Sequence, residues 1–312
     1  MPYSESTFLI RPIDSRLSED LEQLGTKPKF WFTLEGQRTM FKGDDRDTGE
    51  DWAEVIAAEI CTMLGLPHVS YELAHDARNS LPGVVCPNIA AKPLTLVLGN
   101  QLLVEVDPNY PENDDKKYGV HEHTVAAVAR VLETLDPPPA DGCWLPTSGC
   151  HTAVDVFVGY ILLDTLIANQ DRHHQNWGAL RDKETTWLAP TFDHGAGLAR
   201  NETETKRQRR LQAGDRDRQM MAFAKRARSG FYRSIDDKRT LHSHDCFEAW
   251  RRLRPSAGNH WLNRLASLTT QDFKSQIARV PDSRMTRVAK EFTLELLTIN
   301  QRLLLEHLEN HA

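Results

Sequence analysis

The sequence has no stretch of about 18 uncharged apolar residues, so no transmembrane helix is expected. Its N-terminal segment, MPYSESTFLIRPIDSR, holds no long apolar core, and no signal peptide is expected either. Cysteine is scarce: five residues, odd in number and irregular in spacing, make no disulfide framework, and a reducing cytoplasm is the expected compartment. An excess of positive charge is also missing. Lys and Arg total 38 against 44 Asp and Glu, a net −6, which argues against the usual basic nucleic-acid binder and against a membrane-binding basic patch. Three signatures are absent: the Walker A loop, the G-x-S-x-G nucleophile elbow and G-x-G-x-x-G. Internal repeats and low-complexity tracts are absent too. What is there is a 312-residue chain of ordinary apolar content (40%), long enough for two lobes and a sizeable core.

The most informative stretch is residues 161–198, ILLDTLIANQDRHHQNWGALRDKETTWLAPTFDHGAGL. An apolar run, Ile161, Leu162, Leu163, Leu166 and Ile167, reads as the buried face of a helix. It breaks into a polar loop, residues 169–176. A strand-like segment over 177–180, a charged turn over 181–185 and a second apolar segment over 187–189 follow, ending on Thr191-Phe192-Asp193-His194-Gly195. Two strands, each beside a polar loop, bring Asp171, Asn176 and Asp193 within reach of one another. Phosphoryl transfer uses that set: an Asp near the attacking hydroxyl, and Mg²⁺ held by an Asn and a second Asp. Asp171 and Asn176 have the D-x-x-x-x-N spacing of a protein-kinase catalytic loop, and Asp193 stands where a D-F-G Asp stands, with His194 in the aromatic position. The spacing alone is common, and His, Asp and Asn are ordinary turn formers. The hairpin with a second Asp at its far end is what gives the set weight.

Asn169, Asp171, Arg172, His173 and Asn176, followed by Leu188, Ala189, Pro190, Phe192 and Asp193, read N-x-D-R-H-x-x-N and L-A-P-x-[YF]-D. This pattern resembles the HipA-like kinase family, whose type member is a bacterial toxin that phosphorylates an aminoacyl-tRNA synthetase. The resemblance implies a two-lobed α+β kinase fold. It implies ATP and Mg²⁺ as cofactors, Asp171 as catalytic base, and Asn176 and Asp193 as metal ligands. As partners it implies a protein substrate phosphorylated on Ser or Thr, with an aminoacyl-tRNA synthetase as the first candidate, and an antitoxin protein. Phosphatidylinositol-kinase-like lipid kinases share a related D-R-x-x-x-N loop and are the rival within kinases.

Upstream, residues 29–34 and 38–42 read as a hairpin around Glu35-Gly36-Gln37, ending on Lys42. A helix is expected over 51–64, from Val55, Ile56, Ile60, Met63 and Leu64, with Gly65 at its end. Such a lysine engages ATP phosphates and is held by a Glu of the next helix. Glu54 and Glu59 are both available; in the family the Glu precedes a Leu-Gly pair by about three turns, which favours Glu54, with Glu59 in reserve. Residues 24–30 are similar to the Gly-x-x-x-Lys turn before the family's first strand, making Gly25 and Lys27 candidate phosphate contacts in a backbone nest. Ser15, Ser18 and Thr26, near that turn, are candidate autophosphorylation sites.

Further strands are expected over 69–73, 83–86 and 94–98. Residues 100–104 resemble the family's approach to the hinge, with backbone near 103–106 available to adenine. The Pro-rich, charged stretch 108–117 is the expected linker, dividing the chain into a nucleotide-binding N-lobe (1–107) and a catalytic and substrate-binding C-lobe (108–312). Helices are expected over 124–135, 154–168, 220–227, 245–253, 261–268, 272–280 and 283–308. Residues 201–217, highly charged, are expected to be an exposed, mobile activation or substrate segment. The family's additional N-terminal subdomain has no counterpart, so a compact variant is expected. Outside kinases, a metallohydrolase using Asp171, His173, His174, Asp193 and His194 is the alternative. The pairs His121/His123 and His242/His244, and Cys143 with Cys150 and His151, match no closed zinc site.

Overall fold

The computed structural model describes residues 6–21, 28–46, 48–111, 117–140, 146 and 149–309. Gly25, Thr26, Lys27, Cys143 and residues 112–116 of the 108–117 linker lie outside them.

The N-terminal half is built on a mixed sheet. Its strands are β1 (Arg11–Ile13), β2 (Asp20–Leu21), β3 (Lys29–Leu34), β4 (Gln37–Gly43), β5 (Glu72–Asp76) and β6 (Leu81–Pro87), in the order β1-β5-β6-β4-β3-β2. Only β1 and β5 run parallel. The expected hairpin is present: β3 and β4 pair from Leu34↔Gln37 to Lys29↔Lys42, and β4 continues onto β6 with Lys42↔Val84. Phe30, Phe32 and Phe41 fill one side of this sheet with Ile13, Ala74 and Val85. Helix α1 (Glu50–Leu64) packs on it through Val55, against Leu73 and Val84. Asp44 caps its start, accepting from the Gly49 and Glu50 amides at 2.7 and 3.0 Å. Gly65, at φ +73°, closes its end in the left-handed conformation that glycine supplies at no steric cost.

The remainder is mostly helical. It opens with β7 (Thr95–Leu98) and continues through α2 (Gly99–Val106), α3 (Val125–Leu132) and α4 (Ala153–Leu166). The hairpin β8 (Gly178–Arg181) and β9 (Thr186–Leu188) follows, then α5 (Glu204–Leu211), α6 (Arg216–Ala224), α7 (Ser243–Leu253), α8 (Pro255–Ala266), α9 (Thr270–Ala278) and α10 (Arg287–Glu309). Every residue of α4 is buried, so this helix is apolar nearly all round and forms the centre of the core. Thr152 and Asp155 make a capping box at its start, and Arg254 pairs with Asp155 at 2.8 Å.

Several expectations are corrected here. Residues 95–98 are a strand, but one paired with β8 in a three-stranded sheet β7-β8-β9, not with the N-terminal sheet. The chain crosses between the two sheets over residues 88–94. Residues 103–106 are helical, with Leu102 and Leu103 buried in the main core. The strand expected over 69–73 is β5, three residues later, because Val69 donates to the Thr191 carbonyl at 3.0 Å and so belongs to the junction with the catalytic hairpin. Residues 201–217 are mostly exposed, as expected, but they are helical, holding α5 and the start of α6. Thr203 caps α5, Arg207 is buried with its guanidinium over the Trp52 ring at 6.0 Å, and Arg210 lies over Phe223 at 4.8 Å. At these two points arginine stems cover aromatic faces and anchor a charged segment.

Candidate active site

Besides the capping Asp155, helix α4 carries a second carboxylate, Asp164, buried near its C-terminal end. A lone buried carboxylate would be costly, and Arg172 matches it: Nε to Oδ2 at 2.7 Å and Nη2 to Oδ1 at 2.8 Å. The same guanidinium donates to the Asn176 carbonyl at 2.7 Å. Asn169 donates to Asp164 Oδ1 at 2.8 Å and accepts from the Asp171 amide at 3.2 Å. The Asn176 side-chain amide donates to the Asp171 carbonyl at 2.8 Å, and its backbone amide to the His173 carbonyl at 2.9 Å. Loop 169–176 is thus wound around one buried ion pair, with Asp171 and Asn176 tied together. Arg172, 1% exposed, is a positioning residue and does not face solvent.

The N-terminal sheet contributes Lys42 at the end of β4. Its ammonium meets Glu54 Oε1 at 2.7 Å and also pairs with Asp193 Oδ1. The second Glu54 oxygen accepts the His194 amide at 2.7 Å, so Glu54 holds the lysine and the segment after Asp193 together. Glu59, the reserve candidate, points elsewhere and pairs with Arg279 at 2.9 Å. Burial pushes the Lys42 pKa down, but the Asp193 and Glu54 carboxylates outweigh it and hold it well above the ordinary lysine range. Burial raises the Glu54 carboxyl, and Lys42 and the His194 amide oppose that. With a donor on each of its oxygens, we take the pair as ionised.

Asp193 sits at φ +58°, a left-handed conformation rare outside glycine and asparagine-like residues, and its amide donates to the Tyr71 hydroxyl at 3.2 Å. His194 is fully buried; burial drives its pKa well down, and its Nε2 meets the Thr191 hydroxyl at 2.8 Å. It packs as a neutral, polar substitute for the usual aromatic. His173 is likewise neutral near pH 7, burial lowering its pKa to about 4, and its Nε2 is 3.8 Å from Asp171. Gly195 packs closely on this pair: a Cβ there would lie 3.2 Å from Glu54 Oε1, so the carboxylate would have to give by a few tenths of an ångström.

Lys42, Glu54 and Asp193 therefore form one ionic chain, and the Asp171–Asn176 loop and Asp193 flank the β8–β9 hairpin. The Asp171 and Asp193 side chains keep 28% and 34% of their exposure, while Lys42 and Glu54 are buried. A cavity of about 580 Å³ lined by Ile10, Pro12, His75, Pro82, Ser283 and Arg284 contains none of these residues; the chemistry, not cavity size, marks the site.

The donor set suits Mg²⁺. Asn176 spends its N–H on Asp171, which leaves its amide oxygen, and the other donors are carboxylate oxygens, the hard ligands that Mg²⁺ takes together with substrate phosphates. Among the described residues no group of three His, Cys, Asp or Glu side chains converges on a metal position. His174 instead meets the Tyr110 hydroxyl at 2.8 Å, and His121 stacks on Tyr232.

Four participants escaped the sequence reading. Asp164 was detectable as the acid near the C-terminal end of an apolar helix. Tyr71, Tyr118 and the Glu50–Arg200 ion pair (2.5 Å) carry no local signal, because only the fold brings them in.

Fold and site together define a two-lobed, kinase-like α+β protein. The chain has the fold of the HipA-like kinases. The crystal structure of the Helicobacter pylori proinflammatory kinase CtkA matches with a TM-score of 0.72 at 17% identity, over 96% of this chain and 99% of that one. HipA of the Shewanella oneidensis MR-1 toxin–antitoxin system, in complex with HipB and operator DNA, matches with a TM-score of 0.56 at 11% identity, over 100% of this chain and 75% of that one. No protein-family profile matches the chain, and no curated protein matches it in sequence. Among the described residues no helix is long and apolar enough to cross a membrane.

Proposed function

We propose that this chain is a protein kinase that transfers the γ-phosphoryl group of ATP to a Ser or Thr hydroxyl. The observation that carries the reading is the buried Lys42–Glu54 pair, joined through Asp193 to the segment that follows the Asp171–Asn176 loop and the β8–β9 hairpin. Lys42, kept charged by its two carboxylates, is the group for the ATP phosphates. Asp171 orients the acceptor hydroxyl and takes its proton. Asn176 and Asp193 are the residues that would hold Mg²⁺, which when bound neutralises charge on the transferred group. Gly25 and Lys27 remain proposed phosphate contacts, and the division into a nucleotide lobe and a catalytic lobe belongs to the same reading. The Shewanella oneidensis neighbour with its HipB partner supports screening for an antitoxin-type protein, and an aminoacyl-tRNA synthetase is the first substrate to try.

The test is phosphate transfer from γ-labelled ATP with Mg²⁺, wild type against Asp171→Asn, alongside Mg²⁺-dependent ATP binding. Label taken up by the wild type and lost in the variant, with ATP binding retained, supports the reading. Absence of both label and Mg²⁺-dependent ATP binding in the wild type sinks it.

A further inference from the structure

A hydroxyl already stands at Asp171, and it belongs to this chain. Tyr118 donates to Asp171 Oδ1 at 2.5 Å. Its ring meets the His173 ring edge-on, with centroids 5.4 Å apart and planes at 90°. Tyr118 is nevertheless 65% exposed, so core packing does not hold it there. It sits on a short arm. Gly119, at φ +70°, follows it in a conformation only glycine adopts easily, and Val120 is buried beyond. His121 then stacks on Tyr232 with centroids 4.6 Å apart, pinning the chain just past the glycine. Ser15, one of the serines expected as an acceptor, instead accepts from Asn79 at 3.0 Å at the edge of the N-terminal sheet.

A general base must lie within hydrogen-bond reach of the proton it takes, about 2.6–3.2 Å or closer. Tyr118 meets that requirement inside one molecule. We propose that Tyr118 is an intramolecular phosphoacceptor whose modification clears the acceptor position for a substrate. This rests on the phosphoryl-transfer part of the kinase reading above and adds to its Ser and Thr acceptors a tyrosine of the chain itself. In the step, the Tyr118 phenolic oxygen forms a bond to the γ-phosphorus of ATP. The bond from that phosphorus to the β,γ-bridging oxygen breaks, ADP leaves, and the phenolic proton passes to the Asp171 carboxylate. The product carries about −1.5 to −2 charge. The field it meets is unfavourable: Asp171 is in contact, Asp193 is close enough to act on the same hydroxyl, and Arg200, the facing cation, is engaged by Glu50. Like-charge repulsion then drives the arm outward about Gly119. Before modification the arm excludes a substrate hydroxyl; afterwards it does not.

The experiment incubates the intact wild-type chain with γ-labelled ATP and Mg²⁺ and maps the phosphorylated residues by mass spectrometry. A tagged Asp171→Asn chain is included in the same tube. The expected result is phosphate on Tyr118 of the wild type, at a fractional rate independent of protein concentration, and none on Tyr118 of the tagged chain. Tyr118→Phe loses that site. Phosphate confined to other residues overturns this proposal and leaves the kinase reading standing. Transfer to the tagged chain's Tyr118 overturns the intramolecular step. No phosphate on any residue overturns both. A readout that needs no turnover is hydrogen exchange of residues 117–120 without nucleotide. Tyr118→Glu, which puts a carboxylate against Asp171, is expected to exchange faster there than Tyr118→Phe; equal exchange overturns the clearing step.

Discussion

Arg172 closes two hydrogen bonds on Asp164, 2.7 and 2.8 Å, entirely inside the protein, and from that pair the loop bearing Asp171 and Asn176 takes its shape. Removing one partner leaves a buried charge without compensation. Asp164→Ala is expected to lose about 3–5 kcal/mol of stability, read from urea denaturation. A loss below about 1 kcal/mol would mean that water reaches Arg172, and that the loop is held by its other bonds.

Lys42 stands between two carboxylates, so its removal has a structural effect separate from any effect on nucleotide. Lys42→Met is expected to lower the melting temperature without nucleotide, and Glu54→Gln on top of it to restore part of the loss. The double-mutant cycle should give a coupling of about 0.5–3 kcal/mol, the range for residues in direct contact. Additive effects would contradict the 2.7 Å pair. On activity, Lys42→Met should reduce label transfer by roughly 10²-fold or more, the scale of losing one preorganised electrostatic contact.

His123 sets a direction for pH dependence. Its Nδ1 donates to the Gly230 carbonyl at 2.8 Å, and its Nε2 accepts from the Trp177 indole at 3.2 Å, so the neutral ring is satisfied and a second proton would face an N–H. Burial lowers its pKa to about 3, against 6.5 in the unfolded chain. The unfolded state therefore binds the proton first. The stabilisation is complete above about pH 6.5 and is lost as pH falls towards 3, on the order of 5 kcal/mol in all. His123→Gln should flatten the fall in urea stability between pH 7 and pH 4; an unchanged slope would place the acid sensitivity on other groups.

Gly230 lies against the back of the catalytic loop, where an added Cβ would collide with the Arg172 carbonyl and the His173 amide. Backbone cannot yield as a flexible side chain can. Gly230→Ala is expected to cost about 1–3 kcal/mol, the range for overpacking, and to reduce label transfer as the loop shifts. A variant with wild-type stability and transfer would show that the loop tolerates displacement.

Much of the site was legible in the chain itself, because its pieces are local. The D-x-x-x-x-N spacing, the hairpin to Asp193, and the strand–Lys–helix–Glu order each lie within a few turns or one hairpin. Hydrophobic periodicity marked the helices and the β3–β4 hairpin for the same reason: a period of 3.6 or 2 is imposed by one element facing one core. The choice between Glu54 and Glu59 leaned on a family resemblance, and the geometry agrees with it through the 2.7 Å contact.

What only the tertiary structure decided are the pairings between residues distant in sequence. Which sheet β7 joins depends on β8, some eighty residues on, and no local pattern records it. The charge-rich 201–217 segment reads as solvated and is mostly exposed, but only the fold brings Trp52 and Phe223 beneath Arg207 and Arg210. Tyr118, just past the 108–117 linker, carries no reading of its own until the fold sets its hydroxyl against Asp171. Local spacing determines which chemistry a chain can offer; burial and long-range contact determine which groups meet, and so which protons and charges they hold.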